Sequence, residues 1–580
     1  MVSAGLAHRL SPMPADLHRT DVDFALHEDA AAELFGSLHR QWPAAPAAFL
    51  DSSDHARGGA TAGAPSRSRY SILAFSLGAE AQGAEAFGSE AMGAEAASVE
   101  LSDRAWEWVA HAWMFDRAET VAELNRQPGQ KQLQHGHARL DPPFQLGWVG
   151  FVGYEGQGRF FRATHAVVVD HDAGTAQLQS MAEDRRWAAS VCQEIQHVAA
   201  LAGSAEACTA AAATADSADA GSAEAAAPDI DAGAAPSPDR EWAFSGGKIN
   251  GSAGNTTAKR PPEGSCTADS AAYSPLHSPL AQLRVRDSRA AYLKKITEAH
   301  RQIREGNSYE ICLTTAVTGQ FTGSPWQAYR RLREHNRAPF TQYLYLPGAA
   351  DDVVILSTSP ERFMQVCRDG KLRSEPIKGT RPRGADPRLD AQLRTDLSTH
   401  PKDRAENVMI TDLVRNDLSI YAAPGTLRTE RLCAVETYPS VHQMVSTVSA
   451  QLDAHAERAE ALAAAFPPGS MTGAPKISTM DILTRLETGD RGPYSGAAGY
   501  FSTTGACDLS VLIRTAALTR SHQGRPAVVT GSPTDHDEAW GFHLGLGGAI
   551  TADSVPEDEW QEVITKSRGV LGALGAEFPQ

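Results

Sequence analysis

Two segments in the C-terminal half of this 580-residue chain place carboxylates at a spacing that suits metal binding. Asp403 and Glu406 stand three residues apart, and so do Glu559 and Glu562. Residues at i and i+3 share one face of a helix, so each pair presents its oxygens on one side. Two such faces, if opposed, offer four oxygen donors of the kind that Mg²⁺ prefers. The alternative interpretation is two ordinary solvated helix surfaces.

Lys378 suits a different chemistry, that of a nucleophile. It lies in EPIKGT at 375–380, on a short apolar stretch before a glycine turn. Burial removes solvation from a lysine, so we expect a lowered pKa and a reactive amine. The alternative is a surface lysine beside a basic loop.

Three further features suit the binding of an anionic ligand or the close approach of a ligand to the backbone. Thr472 lies in GSMTGAPK at 469–476, which opens a helix and resembles an anion-binding turn, although the spacing of a P-loop is absent. Arg514 ends an apolar strand, where a charge needs a partner such as a substrate carboxylate. Gly547 and Gly548 leave room for a backbone to approach a ligand.

The elements that must position these groups are amphipathic helices and short buried strands. The first carboxylate helix begins near Pro401, and its predicted buried stripe is Ala405, Val408, Met409 and Leu413. The second has a predicted stripe of Trp560, Val563, Ile564, Ser567, Val570 and Leu571. A third helix is predicted over Arg289 to Arg304, and strands are predicted near 49–53, 69–75 and 353–356.

Composition divides the chain into three ranges. Residues 1–200 are predicted to form an N-terminal α/β domain that carries a low-complexity insert at 78–100. Residues 201–278 are rich in Ala, Ser, Gly and Asp, and we expect a disordered linker or insert because such a segment buries too little apolar surface to order itself. Residues 279–580 regain strong patterning and are predicted to form the catalytic domain.

The net charge of −17 is unevenly spread. The repeat at 78–100 has five acids and no base, and residues 200–244 have eight acids and one base, so the two stretches carry −12 of the −17. The chain has no polybasic region of the kind that would indicate a nucleic-acid partner. Seven cysteines without a pairing pattern, no signal peptide and no apolar run of about 18 residues predict a cytoplasmic protein that does not span a membrane.

Taken in order, the C-terminal motifs resemble those of the chorismate-utilising enzymes, the family of anthranilate synthase component I and aminodeoxychorismate synthase component I. The resemblance covers the chain from about residue 285 to the end, and it is looser in the N-terminal half. Its strongest stretches are SPERF at 359–363, PIKGT at 376–380, DRAENVMITDLVRNDL at 403–418, YPSVHQMVSTV at 438–448, GSMTGAPK at 469–476, GYFS at 499–502, LIRTA at 512–516 and GGAITADSVPEDEWQE at 547–562. The N-terminal half adds LDSS at 50–53, RYSILAF at 69–75 and GWVGFVGYE at 147–155.

This resemblance implies an α/β (α+β) fold of the anthranilate synthase component I type, in which antiparallel sheets pack as a sandwich flanked by helices. It also implies chorismate as substrate and Mg²⁺ as cofactor. Glu406 and Glu562 would bind the ion directly, with Asp403 and Glu559 acting mainly through water. The implied catalytic set is Lys378, Glu406 and Thr380, and the implied substrate-binding set is Tyr500, Arg514, Gly547, Gly548, Lys566 and Thr472.

Lys378 favours aminodeoxychorismate synthase component I, because anthranilate synthases usually have Ala at that motif position. The resemblance then implies that Lys378 attacks C2 of chorismate as the 4-hydroxyl leaves, and that ammonia adds at C4 and expels the lysine, on the way to 4-aminobenzoate and folate. Two alternatives remain: anthranilate synthase component I, and a non-catalytic chorismate-binding paralogue.

Two partners and one departure follow from the same comparison. No glutaminase module is visible, so the family pattern implies a separate glutaminase subunit that delivers ammonia. LDSS at 50–53 lies where feedback-inhibited relatives bind tryptophan, so the resemblance implies a tryptophan pocket there. The alternative is a plain strand and turn. Many relatives have His where this chain has Gln443, next to His442, so a general-acid histidine at that position is in doubt.

Overall fold

A computed structural model of the chain describes residues 17–24, 29–51, 69–77, 98–101, 104–113, 144–182, 184–200, 278–438, 441–522 and 539–579. Within these ranges two antiparallel sheets of 12 and 10 strands form the framework. The strands are β1 (His18–Asp23), β2 (Ala47–Asp51), β3 (Tyr70–Phe75), β4 (Val99–Leu101), β5 (Gly147–Val152), β6 (Gly158–Ala163), β7 (His165–Asp170), β8 (Thr175–Ser180), β9 (Leu280–Val285), β10 (Glu310–Phe321), β11 (Phe340–Pro347), β12 (Asp351–Ser359), β13 (Arg362–Val366), β14 (Lys371–Glu375), β15 (Ile377–Pro382), β16 (Arg428–Thr437), β17 (Val441–Gln451), β18 (Gly473–Ala474), β19 (Ala497–Ser502), β20 (Cys507–Val511), β21 (Thr515–Ser521) and β22 (Trp540–Ile550).

The larger sheet has the order β1-β8-β7-β3-β2-β11-β12-β21-β22-β10-β18, with β9 also paired to β10. The smaller sheet has the order β15-β17-β14-β13-β20-β19-β5-β6-β4, with β16 also paired to β17. The helices are α1 (Ala30–Gln41), α2 (Arg289–Arg304), α3 (Pro325–His335), α4 (Pro387–Thr399), α5 (Pro401–Ser419), α6 (Arg458–Ala465), α7 (Lys476–Leu486) and α8 (Pro556–Ala573). Residues 105–113 and 185–200 are also helical.

Strand alternation builds the layers, because successive side chains point to opposite faces of a sheet. On β2, Phe49 packs into the core beneath helices α1, α2, α3 and α8, while Leu50 packs into the core between the two sheets. The outer face of the smaller sheet packs against α5, α6 and helical residues 105–113. The order of layers is therefore helices, sheet, sheet, helices, and the predicted sandwich flanked by helices is confirmed.

Strands from both predicted domains share the two sheets. In the larger sheet β2 pairs with β11, and in the smaller sheet β5 pairs with β19. The ranges 1–200 and 279–580 therefore contribute to the same cores rather than to separate ones. The linker predicted at 201–278 lies outside the described residues except for Ser278, and so does the insert predicted at 78–100 up to residue 97. Its last residues lead into β4, which pairs with β6.

The two carboxylate helices differ in how well their buried faces were predicted. On α8, Trp560, Val563, Ser567, Val570 and Leu571 are buried, as predicted. On α5 the predicted stripe is right only at Leu413: Ala405 and Val408 are exposed and Met409 is partly buried. The other buried side chains are Asn407, Ile410, Thr411, Val414, Asp417 and Leu418. Asn407 is buried because its amide donates to the Met444 carbonyl and its oxygen accepts from Ser446.

Candidate active site

Three carboxylates meet where the first turns of α5 and α8 face each other. Lys402 Nζ lies 3.9 Å from Oε1 of Glu406 on its own helix and 3.8 Å from Oε1 of Glu559 on α8. Glu562 lies one turn beyond Glu559, and its Oε1 is 2.7 Å from Lys566 Nζ. The side chains of Glu406 and Glu559 are 15% and 4% exposed, so these two acids are largely removed from water, whereas Glu562 is 46% exposed.

Burial disfavours the ionised form of Glu406 and Glu559. It raises the pKa of Glu406 to about 7, although the charge of Lys378 opposes the shift, and it raises the pKa of Glu559 as well. The charge of Lys566 instead lowers the pKa of Glu562. A hard cation would relieve the desolvated acids, so the donor chemistry fits Mg²⁺. Among the described residues no three such side chains are already close enough to hold an ion by themselves.

Asp403 faces a different neighbour. Its Oδ2 accepts a 2.9 Å hydrogen bond from Arg381 on β15, and it lies 3.1 Å from Nδ1 of His400. Its carboxylate therefore ties the start of α5 to the strand that carries Lys378.

Lys378 lies on β15 and is 12% exposed. Its Nζ donates a 2.7 Å hydrogen bond to Oε1 of Glu310, the first residue of β10, which is fully buried. Burial alone would lower the pKa of Lys378, but the nearby carboxylates, first Glu310 and then Glu406, outweigh this effect and raise the pKa. The predicted lowering of the pKa is wrong, because sequence alone did not reveal the carboxylate partner.

Glu310 is thus a site residue that the sequence analysis missed. The available signal was a single charge at the head of the apolar run EICLTTAV, where a buried acid needs a partner. Glu361 was missed as well, although it lies inside the quoted SPERF motif. It is 5% exposed, and burial raises its pKa to about 7 against the opposing charge of Lys378.

The glycine pair on β22 lies directly against α8. A Cβ at Gly548 would stand 3.3 Å from Oε2 of Glu559 and 3.6 Å from Oε1 of Glu562. Lys566 Nζ donates a 2.8 Å hydrogen bond to the carbonyl of Gly547. The structure therefore brings these predicted residues together beside the acids.

Arg514, at the turn between β20 and β21, has a largely buried guanidinium. Burial lowers its pKa, and no hydrogen bond or ion pair of its side chain is found within the described part of the chain. Its backbone φ of 51° is in the left-handed region, and its carbonyl accepts from the Thr358 amide at 3.2 Å. Within the described ranges this buried cation therefore has no anionic partner to offset its lost solvation.

The other predicted substrate and catalytic residues lie in different surroundings. Tyr500 packs between the two sheets, with its ring 5.2 Å from that of Phe144. Thr472 is fully buried, and its hydroxyl donates to the Gly469 carbonyl at 3.1 Å. Thr380 is exposed on β15, opposite Gln443 of β17. No described contact links these three side chains to Lys378 or to the three carboxylates.

His442, next to Gln443, is fully buried and points to another cluster. Its Nε2 lies 3.0 Å from Asp390 on α4, and its Nδ1 lies 2.9 Å from the Thr437 hydroxyl. Asp390 also accepts two hydrogen bonds from Arg383. The histidine therefore joins α4 to β17.

The LDSS stretch is described only to Asp51. Its carboxylate is buried and accepts a 2.7 Å hydrogen bond from Arg333 and another from Ser71. Residues 52–68 lie outside the described residues, so the tryptophan pocket stays a prediction.

The comparison with family models agrees with this architecture. A chorismate binding enzyme family model matches residues 81–572. The chain belongs to this family.

The most similar relatives include an aminodeoxychorismate synthase of Streptomyces griseus. It is 47% identical over 295 residues, which are 51% of this chain and 38% of that protein. Aminodeoxychorismate synthase component 1 of Klebsiella aerogenes is 42% identical over 289 residues, 50% of this chain and 58% of that protein. The aligned part thus spans less than two thirds of either relative's length.

Among solved structures, anthranilate synthase component I from Streptococcus pneumoniae aligns with a TM-score of 0.52 and 20% identity, over 89% of this chain and 95% of that one. The likeness establishes the predicted fold type. None of the helices in the described ranges has the length and apolar character needed to cross a bilayer.

Proposed function

We propose that the chain is the chorismate-aminating component of an aminodeoxychorismate synthase, converting chorismate and ammonia to 4-amino-4-deoxychorismate. One observation carries the proposal: an amine, Lys378, stands at the motif position that separates the family's branches and is surrounded by buried acids. The names of the two relatives point to the same reaction.

In the proposed reaction Lys378 acts through its nitrogen lone pair. That pair forms a bond to C2 of chorismate, the ring double bonds shift, and the C4–O bond breaks with its electrons on the departing hydroxyl. Ammonia then forms a bond to C4, and the C2–N bond breaks so that its electron pair returns to Lys378. An amine nucleophile in this way divides one difficult displacement into two easier ones.

Mg²⁺ is proposed as the cofactor, and it would supply positive charge beside the substrate carboxylate. Glu406 and Glu562 would hold it directly, whereas Glu559 and Asp403 would act mainly through water. Arg514, whose buried guanidinium has no anion within the described part of the chain, is proposed to bind a second carboxylate of chorismate. Lys566 and the Gly547–Gly548 backbone would line the same side of the substrate.

A glutaminase subunit is the proposed source of ammonia. The Klebsiella aerogenes relative is named component 1, which is consistent with a second component. The product would be a precursor of 4-aminobenzoate in folate synthesis.

The test is product identification with purified chain, chorismate, MgCl₂ and ammonium chloride, by chromatography with and without an added aminodeoxychorismate lyase. We expect a product that the lyase converts to 4-aminobenzoate, and we expect Lys378→Ala to form none. Anthranilate as the main product would replace this proposal by anthranilate synthase, and chorismate binding without turnover would indicate a non-catalytic paralogue.

A further inference from the structure

We propose that Glu310 takes the proton from Lys378 and so converts the resting ion pair into a neutral amine and a neutral acid. This inference rests on the proposed function, because it concerns how Lys378 becomes a nucleophile. It assigns a role to a residue on β10 that none of the family motifs quoted above includes.

The ion pair between Lys378 and Glu310 is short and shielded from solvent. Lys378 Nζ lies 2.7 Å from Glu310 Oε1, with the two side chains 12% and 0% exposed. An ammonium has no lone pair, so in this state Lys378 cannot attack carbon. The contact also fixes the nitrogen on the side of the site where β10 and β15 approach each other.

The second oxygen of Glu310 explains why a proton must move. Oε2 is buried and has no hydrogen-bond partner in the described part of the chain. If Lys378 left the pair as an ammonium, Glu310 would remain as a bare carboxylate in a dry site, which is strongly unfavourable. If the proton passes first, the N–H electron pair stays on Lys378, an O–H bond forms on Glu310, and neither group is charged when they separate.

The other acids around Lys378 keep the amine protonated at rest. Glu406, like Glu310, raises the pKa of Lys378, and the charge of Lys378 also reaches Glu361 and Glu562. A base in direct contact with the amine must therefore take the proton when Lys378 reacts, and Glu310 is the carboxylate at hydrogen-bond distance from Nζ.

Two substitutions test the inference. Glu310→Gln keeps an oxygen acceptor for Lys378 but is not a base, and Glu310→Asp keeps the base with a shorter reach. Steady-state rates would be measured with chorismate, MgCl₂ and ammonium chloride between pH 6.5 and 9.5, with free ammonia held constant. Glu305→Gln, on the exposed turn after α2, is the matched control. Circular dichroism and thermal unfolding would establish that each variant is folded.

For Glu310→Gln we expect kcat to fall about 100-fold or more at pH 7.5. KM for chorismate should change less than about threefold, since Glu310 acts through Lys378. The remaining rate should climb with pH, because solvent must then deprotonate the lysine. Glu310→Asp should be slower than wild type but should keep the wild-type pH profile.

A Glu310→Gln rate within twofold of wild type would overturn the inference, and so would a loss with an unchanged pH profile. If Glu310→Gln does not fold, the test is Glu310→Asp. A folded Glu310→Asp whose rate rises steeply with pH, over the range in which the wild-type rate is constant, would also overturn the inference. Lys378→Ala separates this failure from that of the proposed function. An active Lys378→Ala refutes the covalent mechanism, whereas an inactive one with an unaffected Glu310→Gln refutes only the role of Glu310.

Discussion

Lys402 Nζ lies 3.8 Å from Oε1 of Glu559, across the gap between the first turns of α5 and α8. The two helices therefore meet through charge at the point where their acids converge. A single lysine between Glu406 and Glu559 balances one negative charge at most, and burial raises the pKa values of both acids. A bound divalent cation would complete the charge balance.

Removing one of the proposed direct ligands should abolish cation binding. We expect Glu562→Gln to lose the heat of Mg²⁺ binding in isothermal titration calorimetry and to lose most of its Mg²⁺-dependent turnover. Glu557→Gln is the matched control on the same helix, because Glu557 is exposed and pairs with Arg289. An equal loss of Mg²⁺ binding in both variants would show that binding depends on α8 as a whole and not on Glu562.

Replacing Gly547 or Gly548 of β22 by alanine should have two different effects, the first on stability and the second on ligand binding. A Cβ at Gly547 would stand 2.5 Å from the Leu313 carbonyl, a backbone atom that cannot move freely. We expect Gly547→Ala to destabilise the fold by about 1–3 kcal/mol in urea unfolding. A Cβ at Gly548 would meet the side chains of Glu559 and Glu562 at 3.3 and 3.6 Å. We expect Gly548→Ala to keep most of the stability but to weaken Mg²⁺ and chorismate binding, and the reverse pattern would contradict this assignment.

Local pattern was enough to predict the helices that carry the site. Arg289–Arg304 is helical as predicted, and α5 begins at Pro401, where proline lacks only an N–H that a first turn does not use. The buried stripe of α8 follows from its apolar spacing. Asp403, Glu406, Glu559 and Glu562 were therefore assigned to the correct elements.

Contacts between distant parts of the chain were not predictable in this way. Lys378 and Glu310 are 68 residues apart and lie on strands of different sheets, so the sign of the pKa shift on Lys378 depended on tertiary structure. The face of α5 was misjudged for a related reason. Asn407 and Thr411 are polar and were not part of the predicted stripe, but their hydrogen bonds to Ser446, Met444 and the helix backbone allow them to be buried.

Arg514 should act mainly on substrate affinity. Its guanidinium has no ion pair within the described ranges, so a substrate carboxylate would be its first strong partner. We expect Arg514→Gln to raise KM for chorismate about 10- to 100-fold, the loss of a charge-assisted hydrogen bond worth about 1.5–3 kcal/mol. Arg520→Gln, on strand β21 directly after Arg514 but paired with Asp352, is the control and should leave KM unchanged. An unchanged KM in Arg514→Gln would remove this residue from the substrate site.

Acid should destabilise the fold in part through His39 on α1. Burial, together with the charge of Arg40, lowers the pKa of His39 to about 4. Its Nδ1 has no partner among the described residues, and its ring stacks on Phe35 at 5.5 Å. His39 takes up a proton near pH 6.5 in the unfolded chain but only near pH 4 in the folded state, so its stabilising contribution is present above pH 6.5 and is lost as the pH falls toward 4.

Between pH 7 and pH 5 we expect about 1–2 kcal/mol of unfolding free energy to be lost through His39. Urea unfolding of His39→Gln at both pH values should show a correspondingly smaller drop than wild type. His455→Gln, at an exposed position, should show the full wild-type drop, and equal drops in all three proteins would show that His39 does not contribute.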